Sequence, residues 1–313
     1  MADIVVVGSL NMDLVIRTPR APGAGETVRG YGFRTIPGGK GANQAAAVGR
    51  LGGAVSMIGR VGSDEFGERL VASLGQQGVD TGHVKVDSAA PTGVAVITVE
   101  DSGENRIIVS PGANGRVCTE DIDEAKDLLA EAKVIVLQFE VPLEVVEYAI
   151  EKATEYPAKV ILNPAPAAQV SDEFLSRVDC LVPNETETRI LTGIEVVDLA
   201  TAGRAGKDLL SRGVRQVVIT LGEKGALWLT QGSTMHIPAI KVRPVDTTAA
   251  GDAFVGGLAV GMVRGLVMED AVRYGGCAGA LTVMKLGAQT SLPSADQVGA
   301  LFAGDTSVLE SLA

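Results

Sequence analysis

Ile4 to Val7 is an unbroken run of β-branched residues that ends at Gly8, the pattern of a short strand buried on both faces. Similar apolar runs at 54–61, 133–137, 159–163, 178–182 and 215–220 alternate with helical periodicity at 41–51, 64–77, 121–131, 142–154, 185–192, 200–212, 251–264 and 267–284. Such alternation predicts a layered α/β/α domain around a mostly parallel sheet. Two stretches break it. Residues 13–36 are punctuated by Pro and Gly, and residues 92–110 hold two strand-like runs, Gly93–Glu100 and Arg106–Ser110, around the turn Asp101-Ser102-Gly103-Glu104. They predict either a small β-sheet lid over the carboxyl edge of the large sheet, where α/β ligands bind, or hairpins that extend the large sheet. On the first reading, 1–12, 37–91 and 111–313 form the α/β domain, and 13–36 with 92–110 form the lid.

Composition narrows this picture. The 313 residues are 46% hydrophobic but only 4% aromatic, so the core must rest on Val, Ile, Leu and Ala, as in a buried parallel sheet. A formal net charge of −11 argues against nonspecific binding to nucleic acid or to an anionic membrane. An acidic chain that binds a polyphosphate needs local positive potential from backbone amides, a few Lys residues or metal ions. Cys118, Cys180 and Cys277 share no C-x-x-C spacing, and His83 and His236 lie far apart. Neither zinc ligation nor a Cys/His nucleophilic pair is supported, and unpaired thiols fit a reducing cytoplasm. The N-terminal residues include no basic segment, and no apolar run is long enough to span a bilayer.

Candidate chemistry begins at Asp246-Thr247-Thr248-Ala249-Ala250-Gly251-Asp252, which opens a helical pattern. Small residues at 249–251 let the backbone approach a ligand, and their amides at a helix N-terminus attract phosphate oxygens. Asp252, in that first turn, either caps the helix or accepts a hydroxyl proton during phosphoryl transfer. In Gly38-Gly39-Lys40-Gly41-Ala42-Asn43-Gln44-Ala45, Lys40 opens an Ala-rich helix. A Lys there opposes the helix dipole unless an anion or polar ligand sits nearby. The glycines are expected to bring backbone amides against that ligand; the alternative is a loose loop with a solvated Lys. It is not a Walker A loop, because Gly41 follows Lys40 and position 34 is Arg.

Three further segments follow predicted strands. Asn11 and Asp13 share a face in extended chain and can bond neighbouring sugar hydroxyls or cap a turn. Asn184-Glu185-Thr186-Glu187 has the form of a capping box, and Glu187 can equally hold Mg²⁺ through water. Thr220-Leu221-Gly222-Glu223-Lys224-Gly225 is either a nucleotide-receiving loop or a plain turn. A dinucleotide-binding oxidoreductase is disfavoured, since Gly8-Ser9-Leu10-Asn11-Met12 lacks G-x-G-x-x-G. A non-catalytic sugar or nucleotide sensor would not need Lys40, Gly251 and Asp252 together.

Taken in this order, the segments resemble the ribokinase family of carbohydrate kinases, also called the PfkB family, from Val5 to about Pro293. Gly38–Ala45 with Gly52 and Gly62 fits one family signature, Asp246–Asp252 fits the other, and Asn163-Pro164-Ala165-Pro166-Ala167 fits as well. The resemblance implies an ATP-dependent sugar kinase in which Asn11, Met12, Asp13, Gly39, Lys40, Gly41, Ala42, Asn43 and Glu140 contact the sugar. Asp252 would be the base, and Ala249, Ala250 and Gly251 the anion hole. Asn184, Thr220, Leu221, Gly222, Glu223, Lys224, Gly225 and Gly276 would line the nucleotide site, with Glu187 near Mg²⁺. Asp246, Thr248, Thr282, Lys285, Gly287 and Ser291 would surround a monovalent cation, usually K⁺. The implied sugar is D-ribose, phosphorylated at its 5-hydroxyl, with deoxyribose, fructose or a nucleoside as alternatives. A homodimer paired through the lid is implied too. Met12, Gly276 and Thr290 depart from the residues common in the family at those places.

Overall fold

A computed structural model describes residues 2–312. The chain runs β1 (Ile4–Val7), β2 (Asn11–Thr18), β3 (Tyr31–Gly38), α1 (Lys40–Arg50), β4 (Val55–Gly62), α2 (Glu65–Gln76), β5 (Val79–Asp87), β6 (Gly93–Glu100) and β7 (Asn105–Ser110). Next come α3 (Thr119–Glu124), α4 (Lys126–Glu131), β8 (Val134–Leu137), α5 (Leu143–Ala153), β9 (Lys159–Leu162), α6 (Asp172–Ser176), β10 (Cys180–Leu181), α7 (Glu185–Thr192) and α8 (Leu199–Ser211). It closes with β11 (Gln216–Thr220), β12 (Ala226–Thr230), β13 (Thr234–Ile237), α9 (Ala250–Val263), α10 (Met268–Thr282), α11 (Ala295–Phe302) and α12 (Ser307–Glu310).

Nine strands form one sheet in the order β13-β12-β11-β10-β9-β8-β1-β4-β5. The seven from β11 to β5 are parallel, and β12 and β13 add an antiparallel edge. β1 lies in the middle, with Val5 opposite Ser56 on one side and Ile135 on the other. Its alternation explains the all-apolar run: Ile4 and Val6 enter one core layer, Val5 and Val7 the other. The first layer packs against α1, α9 and α10, the second against α5 and α8. Helix α9 is buried from Asp252 through Gly261, which its nearly all-apolar sequence permits. Asp64, Asp198 and Ser294 cap α2, α8 and α11 by accepting bonds from Gly67, Thr201 and Gln297 amides.

The two excursions pair with each other in a separate sheet of order β3-β2-β6-β7, so they do not extend the large one. β2 and β6 run parallel and the outer pairs antiparallel. This sheet also takes in Asn11, Met12, Pro37 and Gly38. Its anchor is Asn114, buried in the 3₁₀ turn after β7. Its amide donates to the Leu10 carbonyl (3.0 Å) and to Asn11 Oδ1 (2.8 Å), while its oxygen accepts from Leu10 N (2.9 Å).

Four expectations from the sequence change. The helix expected at 121–131 is two short helices that meet at Ala125. Only Cys180 and Leu181 of the run 178–182 pair as strand. β5 carries Gly82, and Val79, Val84 and Val86 are its only apolar residues, so it shows no apolar run. The β12–β13 hairpin interrupts the strand–helix alternation after β11, and its strands are too short for a periodic signal.

Candidate active site

The parallel strands end along one edge, and the polar residues that follow them converge there: Ser9 and Asn11 after β1, Gln138 and Glu140 after β8, Asn163 after β9, Asn184 after β10. Helices α1 and α9 start beside them. Between them lies an open cleft of about 210 Å³ lined by Lys40, Asn163, Asn184, Glu187, Thr220 and Asp252, and by the Ala249 and Gly251 backbone.

Asp252 is buried at the start of α9. Its Oδ2 accepts from Asn43 Nδ2 and its Oδ1 from Gln44 Nε2, both at 3.0 Å. Burial raises its pKa, against the pull of the Lys40 charge and the two amide bonds. The turn before it is strained at Ala249, which has φ 59°, the one positive-φ residue other than Gly among those described. Ala is disfavoured there by roughly 1–2 kcal/mol, and such strain concentrates at sites where it sets backbone direction. Among the described residues the amides of Ala249 and Gly251 have no backbone acceptor, while that of Ala250 donates to the Thr247 carbonyl at 3.2 Å. The anion-binding capacity at this turn therefore rests on 249 and 251 more than on 250.

Lys40 is the cation among four carboxylates. Burial lowers its pKa, and Asp252, Glu140 and Glu187 more than offset this, so it stays charged. Asp13 is the fourth, and its pKa is raised to about 7 by burial first, then by Glu140 and Asp252. Gly38 leaves the room this carboxyl occupies, since a Cβ there would stand 2.4 Å from Asp13 Oδ2. Because the folded-state pKa is raised, folding favours the protonated form. The resulting stability is complete below about pH 4 and is lost as pH rises through about 7. Asp13→Asn is expected to remove about 2 kcal/mol from the fall in stability between pH 5 and pH 7. Paired denaturant titrations of the ligand-free protein check this; identical slopes against pH for variant and wild type would refute it.

The glycine-rich start of α1 differs from expectation. The Lys40 amide donates to Glu140 Oε2 (3.0 Å), Gly41 to Ser9 Oγ (3.4 Å) and Ala42 to the Ser9 carbonyl (2.9 Å). These amides are satisfied within the chain rather than offered to a ligand. The glycines also serve close packing: Gly39 has φ 90°, with its Cβ position 2.7 Å from Asn11 N, and a Cβ on Gly41 would stand 2.6 Å from Ser9 N. Glu140 lies at this helix N-terminus and also accepts from the Ser9 hydroxyl (2.6 Å), a position that favours a carboxylate.

On the far side of the cleft, Asn184 and Glu187 form the capping box of α7, with Asn184 N donating to Glu187 Oε2 (2.8 Å) and Glu187 N to Asn184 Oδ1 (2.8 Å). Burial raises the Glu187 pKa. Thr220 bridges to Asn184, and its amide donates to the Pro183 carbonyl at 2.9 Å. The turn 221–225 closes with Leu221 N donating to the Gly225 carbonyl (2.8 Å).

Not every expected residue reaches the cleft by its side chain. Met12, Ala42 and Leu221 are buried in the core, so any part they play is through backbone. Glu223 and Lys224 sit on the outer turn, where the Lys224 ammonium donates to the Val197 carbonyl at 3.0 Å. Gly276 faces open space on α10. Asp246 joins two loops: Oδ1 accepts from Thr248 N (2.9 Å) and Oγ1 (2.6 Å), Oδ2 from Gly287 N (2.9 Å). Thr282 and Ser291 are fully buried, their hydroxyls donating to the Ala278 and Ala288 carbonyls. Four site residues receive no role from the sequence: Ser9 and Gln138, and Gln44 and Asn163, which stand there only as members of motifs. Asn163 carried a faint signal as a polar residue directly after an apolar strand.

Residues 1–295 match the family model described as pfkB family carbohydrate kinase. The chain is 40% identical over 291 residues to a ribokinase of Haemophilus influenzae, covering 93% of this chain and 95% of that one. It is equally, 40%, identical over 296 residues to a deoxyribokinase of Salmonella typhi, covering 94% and 97%. Among solved structures, Arabidopsis thaliana ribokinase complexed with ribose and ATP superposes with a TM-score of 0.92 at 34% identity, over 96% of this chain and 99% of that one. With a carboxylate at the head of α9, a lysine at the head of α1 and a cleft between them, the chain belongs to the pfkB family of carbohydrate kinases.

Proposed function

We propose that this protein transfers the γ-phosphoryl group of ATP to the 5-hydroxyl of D-ribose, giving ribose 5-phosphate and ADP. The observation that carries the reading is the placement of Asp252. Its buried carboxylate lines the cleft beside the Ala249 and Gly251 amides and within the field of Lys40. The hydroxyl oxygen attacks the γ-phosphorus, the bond to the β–γ bridging oxygen breaks, and the hydroxyl proton passes to Asp252. Transfer of this kind is loose, so positioning and charge neutralisation supply most of the acceleration. Asn11, Asp13, Lys40, Asn43 and Glu140 would bind the sugar. Asn184, Thr220 and the 222–225 turn would bind the nucleotide.

Mg²⁺ and K⁺ belong to the same proposal. The Glu187 oxygens keep lone pairs beyond the capping bonds, which suits a water on Mg²⁺. The Asp246 loops offer one carboxylate and otherwise neutral oxygens, with no group of three His, Cys, Asp or Glu among the described residues. That low-charge oxygen set fits a monovalent cation. Bound K⁺ would hold the 246–248 and 282–291 segments together and so steady the turn at 249–251. A homodimer would cover Tyr31, Phe33, Ile107 and Ile108, which are exposed on the two edge strands of the small sheet; its mass in solution is the check. A cytoplasmic location agrees with three free cysteines, two of them buried, and no described helix is long and apolar enough to cross a membrane.

A panel of sugars with Mg·ATP tests the assignment. D-ribose is expected to give the highest kcat/KM, and the rate to be higher in K⁺ than in a strictly Na⁺ buffer. Deoxyribose is the competitor to include, given the equal identity to a deoxyribokinase. Its winning clearly would overturn the ribose assignment, and equal rates in the two salts would remove the cation loop.

A further inference from the structure

Asp252 is held by two consecutive residues of α1, and the second of them, Gln44, stands in a network of amides with Asn163 at the cleft wall and Gln138 in the core. Asn163 Nδ2 donates to the Val182 carbonyl (2.9 Å), which can only accept, so Asn163 Oδ1 faces Gln44. Gln44 Nε2 donates to Asn163 Oδ1 (3.1 Å) and to Asp252 Oδ1 (3.0 Å), using both of its hydrogens. Gln44 Oε1 accepts from Gln138 Nε2 at 2.6 Å. Each link has one polarity. Flipping the Gln44 amide would set its oxygen against the Asp252 carboxylate and its nitrogen against the Gln138 nitrogen. Gln44 and Gln138 are both 0% exposed, so water does not compete for these bonds.

This arrangement carries a cost that stability does not explain. Gln138 Oε1 is buried with no partner among the described residues, a state worth about 1–3 kcal/mol against the fold. Gly8 makes room for it, because a Cβ there would stand 2.1 Å from that oxygen. A hydrophobic pair at 44 and 138 would avoid the penalty. What the amides supply is direction. With Asn43 on Oδ2 and Gln44 on Oδ1, the plane of the Asp252 carboxylate is fixed from both sides, and only the lone pairs toward the cleft remain for a substrate hydroxyl. A base must meet its proton within a narrow range of distance and angle.

We propose that Gln44 is a positioning residue for phosphoryl transfer, fixing the rotation of the Asp252 carboxylate, with Gln138 and Asn163 fixing Gln44 in turn. The proposal rests on the reading of Asp252 as the base. The charged and titratable groups facing Asp252 are Lys40 from α1, Glu140 after β8, Asp13 from β2 and Glu187 from α7. The Gln44 bond adds to the Lys40 charge in favouring the ionised carboxylate.

Gln44→Leu, which keeps the bulk and removes the amide, is expected to lower kcat by ~10–10²-fold while sugar KM stays within about threefold. The acidic limb of its kcat–pH profile should move to higher pH, since the lost donor favoured the charged form. In an Asp252→Asn background, Gln44→Leu should change the residual rate by less than about twofold, because the group it positions is gone. Gln138→Leu should show the same signs at smaller size. Wild-type kcat and acidic limb in Gln44→Leu, or an equal fold-loss with and without Asp252, would overturn the proposal and leave Gln44 as packing. If Gln44→Leu does not fold by thermal melting, Gln138→Leu decides on the same readouts, and wild-type values there overturn the proposal too. An inactive Asp252→Asn beside an indifferent Gln44→Leu sinks only the positioning role. A fully active Asp252→Asn sinks the base itself.

Discussion

Asp252→Asn is expected to lower kcat by ~10²–10⁴, the range for loss of a general base, while sugar and nucleotide still bind within a few-fold of wild type. The prediction separates chemistry from folding because the neighbourhood can absorb the change. Asn has nearly the shape of Asp but brings a donor where Asp brings an acceptor. One oxygen still accepts from Gln44 Nε2, as Asp252 Oδ1 does at 3.0 Å. The new NH₂ then faces Asn43 Nδ2, which now donates to Oδ2. Asn43 can resolve that clash by turning its amide: its Oδ1, buried without a partner among the described residues, then accepts from residue 252, and its NH₂ takes over the unpaired place. The variant should therefore melt close to wild type, and isothermal titration should still show sugar binding. Near-wild-type turnover would end the base assignment. In the wild-type enzyme, kcat should fall on the acidic side as Asp252 takes up a proton. That fall lies at higher pH than for a solvated Asp, because burial raises its pKa.

How much of this was open to a reader of the sequence depends on the distance over which each signal acts. Lys40 at the head of a helix and Asp252 in the first turn of another are local facts, written in the residues on either side. So are the apolar runs of β1, β8 and β9, which bury both faces and so leave no alternation to misread. The Asn184–Glu187 box was legible both ways, and the structure makes the capping bonds without closing off the remaining lone pairs. Gln44 had no such signal. Its partners lie 94, 119 and 208 residues away, so although it stands inside the Gly38–Ala45 motif nothing local assigns it a role. Asn114 is alike: its side chain joins the Leu10–Asn11 junction from 104 and 103 residues away. The glycines of α1 were visible as glycines, but the reason for them was not. A local reading assigns them to a ligand, whereas the backbone against which Gly39 and Gly41 pack belongs to residues 8–11.

That correction yields the second large effect. Gly41→Ala is expected to lower kcat/KM by roughly 10²-fold and to cost about 1–3 kcal/mol of stability, although the added methyl touches no substrate. A Cβ on Gly41 would lie 2.6 Å from Ser9 N, 2.7 Å from Gly8 C and 2.8 Å from Gly8 Cα. All three are backbone atoms at the carboxyl end of the central strand, so no side chain can swing aside. α1 must back away instead. It carries Lys40, Asn43 and Gln44 together, and Glu140 and Ser9 lose their bonds to its first amides. A shift of about 1 Å in such a group is enough for a 10²-fold loss. Gly75 on α2 supplies the control, because nothing lies within 4 Å of its Cβ position. Gly75→Ala should keep full activity and gain about 0.4–1 kcal/mol from a stiffer unfolded chain. The opposite ranking, with Gly41→Ala active and stable, would mean that α1 is free to move against β1. The carboxylate of Asp252 would then have to be held by something other than the rigid seat of that helix.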